Sequence, residues 1–193
     1  MNGGSLDSKT AIIPPWPRAY EAKANGWRAT VHVPTMQMWN RHNEPLTIAD
    51  EFKEALLCLR DFHSEFTWLD CECLSRRHKL GKGALIVLDI IDYGDLYNYV
   101  VRRAMIEKHF NMLPDNPKVW PDSVWRLPSF TGWVGSWPEA IWKILQEENK
   151  RLGLTGENVM WEGLVCKRLD SKYNMQLVGS DKESSSWVKH RFI

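Results

Sequence analysis

Hydrophobic spacing along the chain changes period several times, and each change predicts an element. Apolar and polar positions alternate from Trp27 to Val33 and again from Met36 to Trp39. With Pro34 and Thr35 between them, the two segments read as a β-hairpin. Ile48 to Phe62 carries Phe52, Ala55, Leu56, Leu59 and Phe62 at helical spacing, which predicts a helix with one buried stripe. Phe66 to Leu74 reads as a short strand and the continuous apolar run Ala84 to Ile91 as a buried one. Leu96 to Phe110 is predicted as a second helix, and the Pro- and Trp-rich stretch Met112 to Trp133 as irregular or short strands. Ser136-Trp137-Pro138-Glu139 is a capping box with proline in the first turn, so a third helix is expected from there to about Leu152, stopped by Gly153. Gly163 to Arg168 and Ser186 to Phe192 close the chain as strands. The polar, then Pro-rich start is an extended lead-in over residues 1–20. Strands and helices interleave without a strict βαβ rhythm, which favours an α+β fold.

At 193 residues the expectation is a single domain spanning 1–193, long enough to bury a core. The net charge of +1 gives no global reason for a polyanionic partner, so any basic groove has to come from local distribution. No apolar run approaches a membrane span and the N-terminus lacks a secretory leader pattern, so a soluble, cytoplasmic protein is expected. Cys58, Cys71, Cys73 and Cys166 form no C-x-x-C pair and read as reduced, buried thiols. Tryptophan is abundant, with 11 residues; most should pack in the core or at its rim, and a few offer base-stacking platforms.

Four short segments carry candidate chemistry. In Glu21-Ala22-Lys23-Ala24-Asn25-Gly26-Trp27-Arg28 a lysine precedes an Asn-Gly turn and a strand. Alone, it is either a solvated lysine before a tight turn or a nucleophile whose amine is deprotonated by burial and nearby cations. Asp70 and Glu72 alternate with Leu69, Cys71 and Cys73, so they share one strand face, which taken alone is an ordinary solvent-facing edge. Glu162 and Lys167 flank a short apolar stretch, and Lys189 and Arg191 lie two apart on one strand face.

In order, these segments resemble the motifs of the covalent nucleotidyltransferases: DNA ligases, RNA ligases and mRNA capping enzymes. That family carries K-x-D/N-G-x-R, a D-G-E strand, an apolar strand ending near Asp, E-G-x-x-x-K and W-x-K-x-K. The counterparts here are Lys23 to Arg28, Asp70 to Glu72, Leu85 to Asp89, Glu162 to Lys167 and Trp187 to Arg191, with Arg41 matching an arginine after the first hairpin. The chain is most similar to the adenylation domain of ATP-dependent DNA ligases, with RNA ligases next.

The resemblance implies an ATP-grasp-like nucleotidyltransferase domain, with antiparallel sheets flanked by helices and a nucleotide pocket between the sheets. It implies ATP as the nucleotide, Mg²⁺ or Mn²⁺ as the metal, and Lys23 as the residue that becomes covalently adenylated. Lys167 and Lys189 would hold the α-phosphate, Glu162 and Glu72 the metal, and Glu72 with Arg28 the ribose. Glu21 would accept from the adenine amino group. Arg41 would contact the nucleotide and, together with the basic cluster Arg76, Arg77, His78 and Lys79, the nucleic acid; for the cluster a solvated loop is the equal alternative.

Asn25 stands where Asp is commoner, Cys71 replaces the glycine of D-G-E, and Arg191 replaces a lysine. Leu88 stands where ligases carry an aromatic on adenine, so a tryptophan or Tyr93 is expected to take over the stacking. No OB-fold domain is recognisable, consistent either with a fragment or with a minimal enzyme. The implied activity is ATP-dependent joining of a nicked DNA duplex by a monomer. A phage-like RNA ligase acting on RNA ends is the alternative, followed by a capping-type guanylyltransferase or an inactive nucleic-acid-binding relative.

Overall fold

The computed structural model describes residues 2–6, 17–47, 49–74, 82–113, 124–131, 138–173 and 183–191. Arg76, Arg77, His78, Lys79, Ser136 and Trp137 lie outside them. Among the described residues the fold is α+β, with two five-stranded sheets and three α-helices.

The first sheet has the order β1-β10-β9-β2-β8, built from Asn2–Leu6, Glu183–Arg191, Trp161–Arg168, Arg18–Ala24 and Ser129–Phe130. The second has the order β4-β3-β5-β6-β7, built from Gln37–Asn40, Trp27–His32, Trp68–Cys73, Leu85–Ile90 and Val124–Arg126. β1 pairs with β10 and β6 with β7 in parallel; the other pairs are antiparallel.

Two strands depart from the expected pattern. The lead-in ends in β2, a strand paired on both sides, and its start supplies β1 on the edge of the same sheet. The sequence of β2, Arg-Ala-Tyr-Glu-Ala-Lys-Ala, is rich in good helix formers. It is extended because β9 pairs with it from Arg18 to Ala24.

The hairpin β3–β4 forms as expected, with Met36 at φ 54° in its turn. β3 pairs on its other side with β5, so Asp70 and Glu72 sit on a central strand and not at a solvent-facing edge.

Helices α1 (Lys53–Phe62) and α2 (Tyr99–His109) cover one face of the second sheet. Phe52, Ala55, Leu56 and Leu59 of the predicted stripe are buried there with Val31, Leu69, Cys71, Val87 and Ile106. Each such aliphatic side chain contributes roughly 1.5–3 kcal/mol through burial. Phe62, expected on the same stripe, is 77% exposed. The core under the helix end is filled by Phe66 and Phe110, stacked 5.7 Å apart. Cys71 faces this core, which accounts for an apolar thiol where the family pattern has glycine.

α2 begins three residues later than expected, because the Asn98 side chain caps it by accepting from the Val101 amide at 3.1 Å. Its burial is inverted: Tyr99, Arg102, Arg103 and Ile106 point inward at i, i+3, i+4, i+7, while Val100 and Val101 are exposed. Helix α3 (Pro138–Arg151) packs Ile141, Trp142 and Leu145 against Ala22, Ala24, Leu164 and Cys166 of the first sheet. The four cysteines are free, three of them buried. No helix among the described residues is long and apolar enough to cross a membrane.

Candidate nucleotide-binding site

Asn25 and Gly26 carry the chain from β2 in one sheet to β3 in the other, so the turn after Lys23 is the crossing between the sheets. Asn25 anchors it by donating from Nδ2 to the carbonyls of Glu157 and Val159, at 2.9 and 3.1 Å. A Cβ on Gly26 would lie 2.6 Å from the Cys73 carbonyl oxygen, which explains glycine at this position. A cavity of about 510 Å³ opens between the sheets, a volume typical of small-molecule sites. Glu21, Lys23, Lys167, Trp187 and Lys189 line it from the first sheet, and Arg28, Glu72 and Leu88 from the second. Asn40, Arg41 and His42, at and beyond the end of β4, close one side.

Two irregularities in strand pairing place side chains that strict alternation would misplace. Between β2 and β9, Lys23 faces Gly163 and Ala24 faces Trp161, so Glu162 is the extra residue of a bulge. Bulges re-aim side chains, and Glu162 reaches the Lys23 ammonium, forming a direct ion pair with it. The preceding segment is fixed by buried Asn149, whose Oδ1 accepts from the Met160 and Trp161 amides and whose Nδ2 donates to the Trp161 carbonyl. Between β5 and β6, Cys71 faces Val87 and Asp70 faces Asp89, so Leu88 is the extra residue. The interrupted ladder leaves the Leu88 carbonyl to accept from Lys167 Nζ at 3.0 Å.

The charged groups are closely paired with one another. Buried Lys167 lies 2.8 Å from Glu21 Oε2 and 3.8 Å from Asp89, with Nζ 4.1 Å from the Trp187 ring centroid. Glu21 Oε1 accepts from Tyr99 Oη at 2.7 Å and from Arg103 Nη1 at 3.4 Å. Arg102, fully buried, donates to both Asp89 oxygens at 2.7 and 3.2 Å. Arg28 donates from Nε to Asp70 at 2.8 Å and also pairs with it through Nη2, while Tyr173 Oη donates to the same carboxylate at 3.1 Å. Burial by itself would raise the Asp70 pKa; the Arg28 guanidinium reverses that and holds the carboxyl below its ordinary range.

Glu72 behaves differently. Burial pushes its pKa up to about 7, against the opposing pull of Lys23, Arg28 and the Gly26 amide, which donates to Oε1 at 2.9 Å. Its pKa is thus raised on folding from the ordinary 4.5, and the folded state binds the proton more tightly. The ionised carboxylate costs stability progressively as pH rises through that window, and the full cost applies above about pH 7. Glu72→Gln is expected to exceed the wild type in stability at pH 8, by on the order of 1–2 kcal/mol after screening by the open cavity, with the gain gone by about pH 4.5. Urea unfolding at the two pH values reads this directly; a pH-independent difference would refute it.

Of the residues singled out from the sequence, Glu21, Lys23, Arg28, Arg41, Glu72, Leu88, Lys167 and Lys189 all line the cavity, and Glu162 meets Lys23 at its rim. Arg76, Arg77 and Lys79 lie outside the described residues, as does the Arg191 side chain. Tyr93, expected as a possible stacking partner, packs against the opposite core and against Tyr97, with ring centroids 5.7 Å apart. The aromatic rings at the cavity are those of Trp27 and Trp187. Sequence reasoning missed Tyr99, Arg102, Arg103 and Tyr173. The signal for three of them was the i, i+3, i+4 set on α2, which a hydrophobic stripe assigns to the wrong face.

The same fold occurs in solved structures of DNA ligases. The ligase domain of LigD from M. tuberculosis matches 98% of this chain and 59% of its own, with TM-score 0.54 and 18% identity. Mycobacterial DNA ligase D complexed with ATP and MES matches 99% of this chain and 60% of its own, with TM-score 0.54 and 17% identity. Chlorella virus DNA ligase-adenylate matches all of this chain and 69% of its own, with TM-score 0.51 and 15% identity. The chain thus spans about three-fifths of the LigD chains. No family model and no curated relative matches it by sequence.

Proposed function

We propose that residues 1–193 are the adenylation domain of an ATP-dependent polynucleotide ligase, acting on nicked DNA in preference to RNA ends. The observation that carries this reading is the placement of Lys23, at the end of a central strand, in a cavity that also holds Arg28, Lys167 and Lys189. A nucleophilic amine among cations is what transfer of an adenylyl group needs, since negative charge grows on the phosphate oxygens as the bond forms. The first step joins Lys23 Nζ to the α-phosphorus and breaks the bond to the bridging oxygen, so pyrophosphate leaves and the amine loses its proton. AMP then passes to a 5′-phosphate, and a 3′-hydroxyl displaces it to seal the strand.

Each wall has its role. The Glu162 carboxylate holds the Lys23 ammonium, and attack needs the free amine, so this ion pair has to open before the N–P bond forms. Lys167 and Lys189 face the α-phosphate, and Arg28 with Glu72 faces the ribose. Glu21 is held from behind by Tyr99, Arg103 and Lys167. Its oxygens accept a bond from the 6-amino group of adenine and repel the 6-oxo group of guanine, which selects ATP over GTP. Trp187 or Trp27 offers the apolar surface at the base that an aromatic at Leu88 supplies in ligases. Arg41 and the cluster Arg76, Arg77 and Lys79 are the proposed phosphate contacts to nucleic acid.

Glu162 and Glu72 flank Lys23 from the two sheets and offer hard oxygen donors, the set that Mg²⁺ takes together with phosphate oxygens. When bound there, the ion neutralises charge between carboxylate and polyphosphate. Labelling with ATP is therefore expected to require Mg²⁺ or Mn²⁺ and to fall at least tenfold in Glu162→Ala. Undiminished labelling in excess chelator would exclude the metal role.

Incubation with α-labelled ATP or GTP tests the proposal as a whole. Covalent label from ATP, followed by joining of a nicked DNA duplex, is expected. Label from GTP alone would assign a capping-type activity, and joining confined to RNA ends would assign an RNA ligase. DNA is favoured because the structural neighbours are DNA ligases and because Arg28 and Trp187-Val188-Lys189 follow the DNA-ligase pattern.

A further inference from the structure

On the face of the second sheet turned away from the cavity, α1 and α2 end beside one another. His63 is the C-cap of α1, Glu65 lies in the turn that follows, and His109 is the last residue of α2. One ligating atom from each lies within 4.8 Å of the others, and no other such trio of His, Cys, Asp or Glu occurs among the described residues. We propose that His63, Glu65 and His109 bind a zinc ion that ties the ends of the two helices together.

Three features support a built site. The imidazoles are seated on core aromatics: His63 lies 4.4 Å from the Phe110 ring, and His109 meets Phe66 edge-on at 5.1 Å. Phe66 and Phe110 are buried, so packing holds both ligand rings in place. The backbone under His63 is fixed as well, its amide donating to the Leu59 carbonyl at 2.9 Å and its carbonyl accepting from the Phe66 amide at 3.1 Å. Finally, His63 Nδ1 is buried without a hydrogen-bond partner among the described residues. That is a costly state for an imidazole nitrogen, and a coordinated cation ends it.

The donor set selects the metal. Two imidazole nitrogens and one carboxylate oxygen suit zinc and are too nitrogen-rich for Mg²⁺ or Ca²⁺. Zinc bonds of about 2.0–2.1 Å put tetrahedral ligand atoms roughly 3.3 Å apart, so the side chains need only a small closure. Glu65 Oε1 lies 2.6 Å from His109 Nδ1, already in mutual contact. A water completes the tetrahedron on the solvent side, where Glu65 is exposed. Without metal, the Glu65–His109 contact is a hydrogen-bonded pair that joins the two helix ends by itself; that is the competing account. The ion would be structural, because these residues lie across the sheet from Lys23 and no reacting group adjoins them.

The test is zinc titration of the intact, chelator-stripped protein against a chromophoric zinc indicator, with thermal unfolding recorded in parallel. The wild type is expected to take one equivalent and to unfold at higher temperature with zinc, because the ion binds only the folded state. His63→Ala/His109→Ala is expected to bind at least tenfold more weakly and to lose the thermal shift. Glu65→Gln, which leaves packing intact, is expected to weaken binding even if the double variant folds poorly. Glu162→Gln is expected to retain the equivalent, which separates this site from the cavity carboxylates. Co²⁺ in place of zinc is expected to give the visible absorption of a tetrahedral nitrogen and oxygen site. Unchanged zinc binding in Glu65→Gln and in the double histidine variant, or no stoichiometric uptake by the wild type, would overturn the proposal.

Discussion

Lys23→Ala is expected to take no covalent label from ATP while remaining folded. No other side chain in the cavity combines an amine with the strand-end position beside Glu162. Lys167 is buried and held by Glu21 and the Leu88 carbonyl, so its nitrogen is not available to move onto phosphorus. The Lys23–Glu162 pair is largely but not fully buried, with side chains 14% and 19% exposed, so its loss is expected to lower stability without abolishing the fold. Labelling and circular dichroism on the same preparation separate lost chemistry from lost fold. A folded Lys23→Ala protein that still carries AMP would mean that another nucleophile acts and that the assignment of the motif is wrong.

The second large effect is on stability. Arg102→Met is expected to destabilise the domain by about 3–5 kcal/mol, a substantial share of the 5–15 kcal/mol usual for a domain. Four hydrogen bonds are lost at once: two to Asp89, and one each to the carbonyls of Tyr97 and Ser171, at 2.6 and 3.2 Å. Asp89 stays buried, with the Ile90 amide donating to it at 2.9 Å and the Lys167 ammonium 3.8 Å away. The cost is therefore mainly that of an undercompensated buried carboxylate. The double variant Arg102→Met/Asp89→Asn, which removes that charge, should recover a large part of the loss. Guanidinium unfolding of the single and double variants gives the coupling. A loss below about 1 kcal/mol for Arg102→Met would show that the pair is not what holds α2 against β6.

Much of the fold is local in origin and was legible. The hairpin β3–β4, the apolar strand β6 and the presence of the three helices follow from residue spacing over short stretches of chain. So did the residues of the candidate site, since Lys23, Arg28, Glu72, Glu162, Lys167 and Lys189 fall in short patterned segments. Cys71 is a smaller case: the sequence marks it as a departure from D-G-E, and the core beneath α1 and α2 explains it.

What the sequence alone determined is thus most of the elements and the charged residues that line the cavity, because helix spacing, strand alternation and turn chemistry act over a few positions. Tertiary structure decided the rest, because it depends on partners far away in the chain. β2 is a strand only because β9 pairs with it, against its own helix propensity. Glu162 reaches Lys23, and the Leu88 carbonyl reaches Lys167, only because each pairing carries one extra residue, which no single strand reveals. Arg102 and Arg103 face inward on α2, in place of Val100 and Val101, because Asp89 and Glu21 wait on neighbouring strands to compensate their charge. A hydrophobic stripe records the transfer of side chains from water to an apolar interior. It does not register a buried ion pair, whose stability lies in a geometry that only the assembled sheets provide.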